Sequence, residues 1–446
     1  MQNANYQPDP KQTKLIHKAL LEKTAQRMGD VFVDNQILGR LQSIGCVAVE
    51  ITQKCNLDCT LCYLSENSQQ VQDIPIEEVF RRLDQVLLHY GEGTHVQITG
   101  GDPTLRKHTE LVEIIRYANN LGLYTALFTN GIAASRALLK RLAAVGLNDV
   151  AFHVDTTQRR TEGQTEMALN AIREEYLERT KGLGLMVIFN TTVHKDNFHE
   201  IPELVKFFRE RASQIGLISF QLQADTGRGE WRQRDFVINQ ATVSQQVEQG
   251  STSDLPWDAI QVGHSECHFY LPTLVVNDTV YPVVFDKQFF ADFARDFQHI
   301  NWNRHDAKLA IFFDFLKALI KQPTWWWRMT KHSFKLFKNM WRDLLVAKGR
   351  VEKMTIFVQN FMDASQLKQE RIDACSFMVM TAEGPVSMCQ HNASRDDYIL
   401  KPLDIQRSDG TTLEYQPLKA SAAITAIPIQ VQTNKSKQNL ALDSIR

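Results

Sequence analysis

No run of apolar residues in the chain approaches the roughly 18 that a membrane-crossing helix requires. Nor is there a surplus of charge. Fifty Lys and Arg stand against 51 Asp and Glu, a formal net charge of −1, too little to draw the whole molecule to nucleic acid or to an anionic surface. No arginine-rich stretch of the RNA-binding kind is present. Residues 1–15 have neither the apolar core of a signal peptide nor a twin-arginine start, so a cytoplasmic chain is expected. Cysteine is scarce, at seven of 446 residues, and in a reducing compartment such thiols point to metal ligation rather than disulfides. With 43% hydrophobic residues, the chain can hold a barrel-sized core domain and one or two smaller units.

Three of the cysteines crowd into one polar loop: Cys55, Cys59 and Cys62, spaced Cys-x3-Cys-x2-Cys. Thiolates so placed can wrap one loop around a [4Fe–4S] cube, whose four irons normally take four cysteines. A local set of three leaves one iron without a nearby protein ligand, and an open coordination position is where a metal site does chemistry. Structural zinc fits less well, because it takes two ligand pairs in a closed tetrahedron and the second pair is missing. Three unrelated core cysteines are the other alternative, although buried thiols have no reason to gather in a polar loop. The apolar run 47–51 reads as a buried strand, which puts the cysteines at its carboxyl end. About forty residues on, Gly100, Gly101, Asp102, Pro103 and Thr104 follow the strand-like run 95–98. Adjacent glycines let the backbone turn sharply and approach a ligand unobstructed, with carbonyls available to an ammonium.

Runs 123–128, 150–154, 186–189 and 217–221 read as further strands, and helix-like stretches at 110–121, 135–144 and 201–211 separate several of them. Such alternation predicts βαβ units and a parallel sheet. Thr129, Asn130, Asp155, Asp225 and Arg228 then collect near the carboxyl ends of strands, where ligand sites form. Turn and cap chemistry would equally account for Asn130 and Asp155. Of the other cysteines, Cys46 opens the first strand and reads as a small buried residue. Cys375 and Cys389 bracket a predicted hairpin that turns at Gly384, with Phe377 and Val379 on one arm and Val386 and Met388 on the other. Cys267 lies far upstream of both.

The cysteine loop, with Tyr63 directly after its third cysteine, resembles the signature of the radical S-adenosylmethionine (radical SAM) superfamily. Gly100, Gly101, Asp102 and Pro103 resemble that family's Gly-Gly-Glu-Pro segment, with Asp in place of Glu. The resemblance implies an α/β fold: a partial (β/α)6 barrel with a C-terminal α+β extension. It implies a [4Fe–4S] cluster on Cys55, Cys59 and Cys62, with SAM chelating the open iron. One electron would split SAM into methionine and a 5′-deoxyadenosyl radical, which takes a hydrogen atom from the substrate. Tyr63, Gly100, Gly101, Asp102, Pro103, Thr129, Asn130, Asp155 and Arg228 would border SAM. A reductant such as a flavodoxin or ferredoxin would supply the electron.

A looser resemblance covers the later cysteines. Cys267 with His264, and Cys375 and Cys389 with His391 and Asn392, resemble segments of the tetraether-lipid-synthase-like branch. The hairpin resembles the SPASM/Twitch segment. The dense cysteine set of a full SPASM region is absent, as is the rubredoxin-like pair that would precede the core. At most one second iron–sulfur cluster is therefore expected, on Cys267, Cys375 and Cys389, with His391, His264, a substrate group or nothing as fourth ligand. Three independent core cysteines are the alternative.

On these marks the chain divides into an N-terminal extension (1–40, with a helix over 14–28) and a radical SAM core (41–229). A linker and auxiliary segment (230–300) and a basic aromatic helical segment (301–350) follow. A C-terminal auxiliary-cluster-like region (351–430) and a flexible tail (431–446) complete it. In the aromatic segment Phe334, Phe337, Trp341 and Leu345 fall on one helical face, and Lys331, Lys335, Lys338 and Arg342 on a neighbouring one. That is the pattern of a helix lying on a bilayer; a partner groove, a lid over an apolar substrate or a domain-packing helix would share it. The expected activity is attack on an unactivated C–H bond of an apolar substrate, lipids included, by an enzyme that is cytoplasmic or peripheral to a membrane. The alternatives are maturation of a ribosomally made peptide and a non-catalytic iron–sulfur redox protein. The substrate is thus a small molecule, a lipid or a peptide, and no nucleic acid is expected.

Overall fold

The computed structural model describes residues 10–38, 43–161, 163–229, 234–297, 300, 308–407 and 409–418. Residues before Pro10, the boundary expected at 40–41 and the tail expected over 431–446 lie outside the described residues. After helix α1 (Pro10–Met28), six strands and five helices alternate. The strands are β1 (Cys46–Thr52), β2 (His95–Gly100), β3 (Tyr124–Thr129), β4 (Asp149–His153), β5 (Met186–Val193) and β6 (Ile215–Leu222). The helices are α2 (Ile76–Tyr90), α3 (His108–Asn120), α4 (Arg136–Ala144), α5 (Asn170–Thr180) and α6 (Ile201–Arg209). Each strand pairs in parallel with the next, as expected for a partial (β/α)6 barrel. Parallel strands bury both faces, and all seven residues of β1 are buried. The helices supply the outer cover. In α4, Leu138, Leu139 and Leu142 are buried, and the Ser135 side chain caps the first turn by accepting from the Leu138 N–H.

The sheet continues past residue 229. After α7 (Gln240–Ser251) come the antiparallel pair β7 (His268–Val276) and β8 (Thr279–Pro282), then α8 (Lys287–Phe297), α9 (Lys308–Lys321) and α10 (Thr324–Val346). Strand β9 (Glu352–Asn360) returns to pair in parallel with β6, and β7 lies antiparallel against its other edge. Beyond α11 (Gln369–Asp373), β10 (Phe377–Thr381) pairs in parallel with β1, and β11 (Gly384–Ser387) folds back on it. Helices α12 (Met388–Ala393) and α13 (Arg395–Ile399) and the hairpin β12 (Leu403–Gln406) and β13 (Thr412–Tyr415) follow. The order across the large sheet is β11-β10-β1-β2-β3-β4-β5-β6-β9-β7-β8. Its parallel run closes on itself through side chains. The Phe357 ring of β9 is 5.7 Å from Phe377 of β10, and His268 of β7 packs against both, at 5.3 and 4.6 Å.

Two local readings differ from the structure. Met388 opens α12 instead of ending the hairpin arm. The stretch 235–254, polar enough for a linker or an exposed helix, is in greater part the helix α7, but this helix buries Val243 and Val247 and packs on α6. Helices α8 to α10 share a small core of their own, formed by Phe297, Ile300, Ala318, Leu319 and Trp325. The apolar face of α10 that a packing role would have buried lies open to solvent: Phe334 is 67% exposed and Leu345 71%. Among the described residues no helix is long and apolar enough to cross a membrane.

Candidate active site

The loop that follows β1 carries Cys55, Cys59 and Cys62 and is tied down from four strand ends. From β2, the Gly101 and Asp102 N–H groups donate to Thr52 O (2.9 Å) and Lys54 O (2.8 Å). From β3, Asn130 Nδ2 donates to Asn56 Oδ1 (2.6 Å) and lies 3.8 Å from Cys55 Sγ. Beyond β4, Thr157 O accepts from the Thr60 N–H at 2.8 Å. Beyond β6, the Arg228 N–H donates to Leu64 O (2.6 Å), its guanidinium to Leu57 O (2.9 Å), and the Gly229 N–H to Cys62 O (3.1 Å). Glycine is required at two of these grips. A Cβ on Gly101 would stand 2.0 Å from Lys54 O, and one on Gly227 2.3 Å from the Tyr63 carbonyl carbon. The backbones touch, so no side chain fits.

The three thiols lie within electrostatic reach of one another. Burial, then the neighbouring thiols and carboxylates, push the Cys55 and Cys59 pKa values up. Arg228 offsets this as the cation of the site, hydrogen-bonded to Cys62, which raises its own pKa against the opposing effect of burial. Asp102 is fully buried. Its carboxylate accepts from Thr104 N (3.0 Å), Thr104 Oγ1 (2.5 Å), Thr129 Oγ1 (2.8 Å) and Asn130 N (2.8 Å). It therefore clamps β2 to β3 and sets Asn130 in place. Asp155 does the same between β4 and β5, accepting from Thr157 N (3.0 Å), Thr192 N (2.8 Å) and the His153 ring (2.5 Å). Burial would raise its pKa, but His153, Thr157 and Thr192 outweigh it and hold the carboxyl well below the ordinary range.

These strand ends surround a cavity of about 220 Å³. Cys55, Cys59, Cys62, Tyr63, Gly100, Gly101, Thr129 and Asn130 line it, whereas Asp102, Pro103, Asp155 and Arg228 stand behind the lining. Tyr63 donates its hydroxyl to Gly100 O at 2.8 Å, and the Arg395 guanidinium lies 4.6 Å from its ring centre. Several lining residues were not singled out in the sequence: Glu50, Gln97, His153 and Gln359. They sit on strands and point inward, a property of register and barrel closure that no local pattern reveals. Phe361, Phe377 and Met388 add an apolar wall.

Cys267, Cys375 and Cys389 converge from both ends of the sheet, Cys267 just ahead of β7, Cys375 just ahead of β10 and Cys389 in α12. All three are buried. Burial, followed for Cys389 by its neighbour Cys375, pushes Cys267 up to about 11 and Cys389 up to about 12. Cys267 Sγ accepts from Arg371 Nε at 3.2 Å, and Cys389 Sγ from the Met362 N–H at 3.5 Å. His391 turns elsewhere, stacking on Tyr398 and lying 3.9 Å from Glu50. Among the described residues no His, Cys, Asp or Glu group is spaced for a single metal ion. A cube sets each thiolate on a different iron, so its ligands stand farther apart than those of one ion.

Residues 49–208 match the model of the Radical SAM superfamily. A PqqA peptide cyclase of Bradyrhizobium diazoefficiens is 28% identical over 166 residues, 36% of this chain and 42% of that protein. The 7,8-dihydro-6-hydroxymethylpterin dimethyltransferase of Methanocaldococcus jannaschii is 28% identical over 189 residues, 40% of this chain and 36% of that one. An Fe-coproporphyrin III synthase of Methanosarcina barkeri is 28% identical over 189 residues, 41% and 45% of the two chains. The chain thus spans less than half the length of each of these relatives.

Proposed function

We propose that this chain, which belongs to the radical SAM superfamily, is an enzyme that takes a hydrogen atom from a C–H bond of a substrate held in the barrel cavity. Cys55, Cys59 and Cys62 would hold a [4Fe–4S] cluster, and the carboxyl ends of β2 and β3 would hold SAM. One observation carries the reading: three neighbouring thiols, a glycine pair and Asn130 all line the same cavity. The residues fit the group, since the thiols share one loop whose position is fixed from four strand ends. When bound, the cluster and SAM supply one-electron chemistry strong enough to open an unactivated C–H bond. The chain's own residues do the rest. Arg228 hydrogen-bonds Cys62, Tyr63 orients the Gly100 carbonyl, and Asp102 and Asp155 fix the strand ends that meet the ligand. Phe361, Phe377 and Met388 keep water from one side of the cavity.

The first reading of the substrate is an apolar molecule, with lipids included, and it draws on that apolar wall and on the exposed apolar helices α9 and α10. A peptide is the second reading. The amides of Gln97, Asn190, Gln221, Gln359 and Asn392 line the cavity and suit the donors and acceptors of a peptide backbone. A role as a mere electron carrier would leave the cavity beside the glycine pair without a purpose. Cys267, Cys375 and Cys389 would hold a second iron–sulfur cluster, and a flavodoxin- or ferredoxin-type reductant would feed the first. The test is Cys59→Ala. Anaerobically reconstituted with dithionite and SAM, wild type should form 5′-deoxyadenosine and the variant none; undiminished formation by the variant would overturn the assignment. Mass spectrometry of extracts treated with wild type would then identify the substrate.

A further inference from the structure

Helix α10 turns an apolar face to solvent. Trp326, Trp327, Phe334, Phe337, Trp341 and Leu345 are between 42% and 74% exposed, whereas Trp325 on the opposite side is 1% exposed. At 3.6 residues per turn the exposed set covers an arc of about 100°. The next arc carries Lys331, Lys335, Lys338 and Arg342, all exposed. Among the described residues none of these four is ion-paired, while Arg328 pairs with Asp292 at 2.7 Å. The one acid of α10, Asp343, faces inward and accepts from Tyr281 and from Asn277. His332 anchors the same inner side by bonding Val283 O at 2.8 Å. Helix α9 repeats the exposure with Leu309, Phe312, Phe313 and Ile320, each 53–70% exposed. A chain with a net charge of −1 thus concentrates five cations and three exposed tryptophans on one helix.

We infer that α10 docks on the surface of an anionic bilayer. Tryptophan and phenylalanine enter the boundary between headgroups and acyl chains, and the adjoining cations meet lipid phosphates. A second copy of the chain is a poorer occupant, because antiparallel two-fold pairing through this face sets the cation row against its twin, and parallel pairing leaves both rows with no acid of α10 to meet. The inference uses nothing from the radical reaction and goes beyond it.

The test is co-flotation of the full chain with vesicles of phosphatidylcholine alone or mixed with phosphatidylglycerol. The chain should float with the anionic vesicles only, and recovery should fall as salt screens the attraction. Changing Lys331, Lys335, Lys338 and Arg342 together to Gln should weaken partitioning roughly fivefold per cation and several-hundred-fold in all. The pair Phe334→Ser and Trp341→Ser should abolish binding even at low salt. Iron content and SAM cleavage in solution should stay at wild-type level in both variants, so a failure of docking and a failure of the radical chemistry are separately visible. Equal recovery of wild type and the Gln variant, or recovery with neither vesicle, would overturn the inference. So would self-association that Phe334→Ser and Trp341→Ser abolish while no vesicle is bound.

Discussion

Removing Arg395 should cost far more than a surface charge would. Its guanidinium reaches back from α13 to Glu50 on β1, with Nη1 2.6 Å from Oε1, and both side chains are about 95% buried. Burial alone would raise the Glu50 pKa; Arg395, then His391 and Gln53, more than reverse this and bring it from 4.5 to about 2. At about 1.4 kcal/mol per pH unit, the ionised carboxylate contributes about 3 kcal/mol to stability. That contribution is complete above pH 4.5 and is lost as pH falls toward 2. Arg395→Met leaves the charge buried without its partner, which typically costs about 3–5 kcal/mol. Adding Glu50→Gln removes the stranded charge and should recover most of the loss. Anaerobic guanidinium unfolding, followed by tryptophan fluorescence near neutral pH, measures all three forms. His391, which burial pulls down to about 4 against the opposing effect of Glu50, also costs stability as pH falls below its ordinary 6.5, so the acid response that Glu50→Gln changes belongs to the Glu50–His391 pair. A single variant within about 1 kcal/mol of wild type, the range of exposed pairs, would refute the reasoning. A double variant no more stable than the single one would do so as well.

Asp102→Asn should also be costly, because an amide cannot accept from four donors at once without turning its own NH2 against one of them. A loss of roughly 2–3 kcal/mol is expected, together with weaker SAM binding by equilibrium dialysis, since Asn130 loses its anchor; wild-type values for both would count against the clamp. The second cysteine set predicts an iron count. With Cys55, Cys59 and Cys62 all changed to Ala, the reconstituted chain should keep roughly four irons, and a further Cys389→Ala should remove them. A well-folded triple variant without iron would leave Cys267, Cys375 and Cys389 as core residues.

The parallel run was legible because its signals are local. The expected strand 47–51 is observed as Cys46–Thr52, and 217–221 as Ile215–Leu222. Each is an apolar run of strand length, buried on both faces, with a polar or glycine-bearing segment at its carboxyl end. The cysteine loop and the glycine pair were legible for the same reason, since all their chemistry lies in adjacent residues. What escaped depends on pairing across long sequence separation. Strand β9 joins β6 only after more than a hundred residues, and β10 joins β1 from the far end of the chain. No periodicity in 352–360 or 377–381 says which edge it will take. Arg395 over Tyr63, and the inward Gln359, follow from those pairings and were equally out of reach. Asp102 is an intermediate case: the sequence showed Asp where the family has Glu, but only the fold shows the carboxylate engaged by Thr104, Thr129 and Asn130.

The two strands whose pairing partners escaped local reading are also the ones that bring the second cysteine set together. Cys267 arrives with the β9–β7 end of the sheet, and Cys375 and Cys389 arrive with the β10–β11 end. These thiols can meet only when the parallel run has curled far enough for Phe357 and Phe377 to touch. A metal group bound there would favour the closed barrel, because binding to a site that exists only in the closed form adds its free energy to closure. Phe377 and Met388, each close in sequence to one of these cysteines, line the cavity that also holds Cys55, Cys59 and Cys62. A cluster held by these three cysteines would therefore stand beside that cavity, and its binding would act on the shape of the cavity through the position of these two side chains.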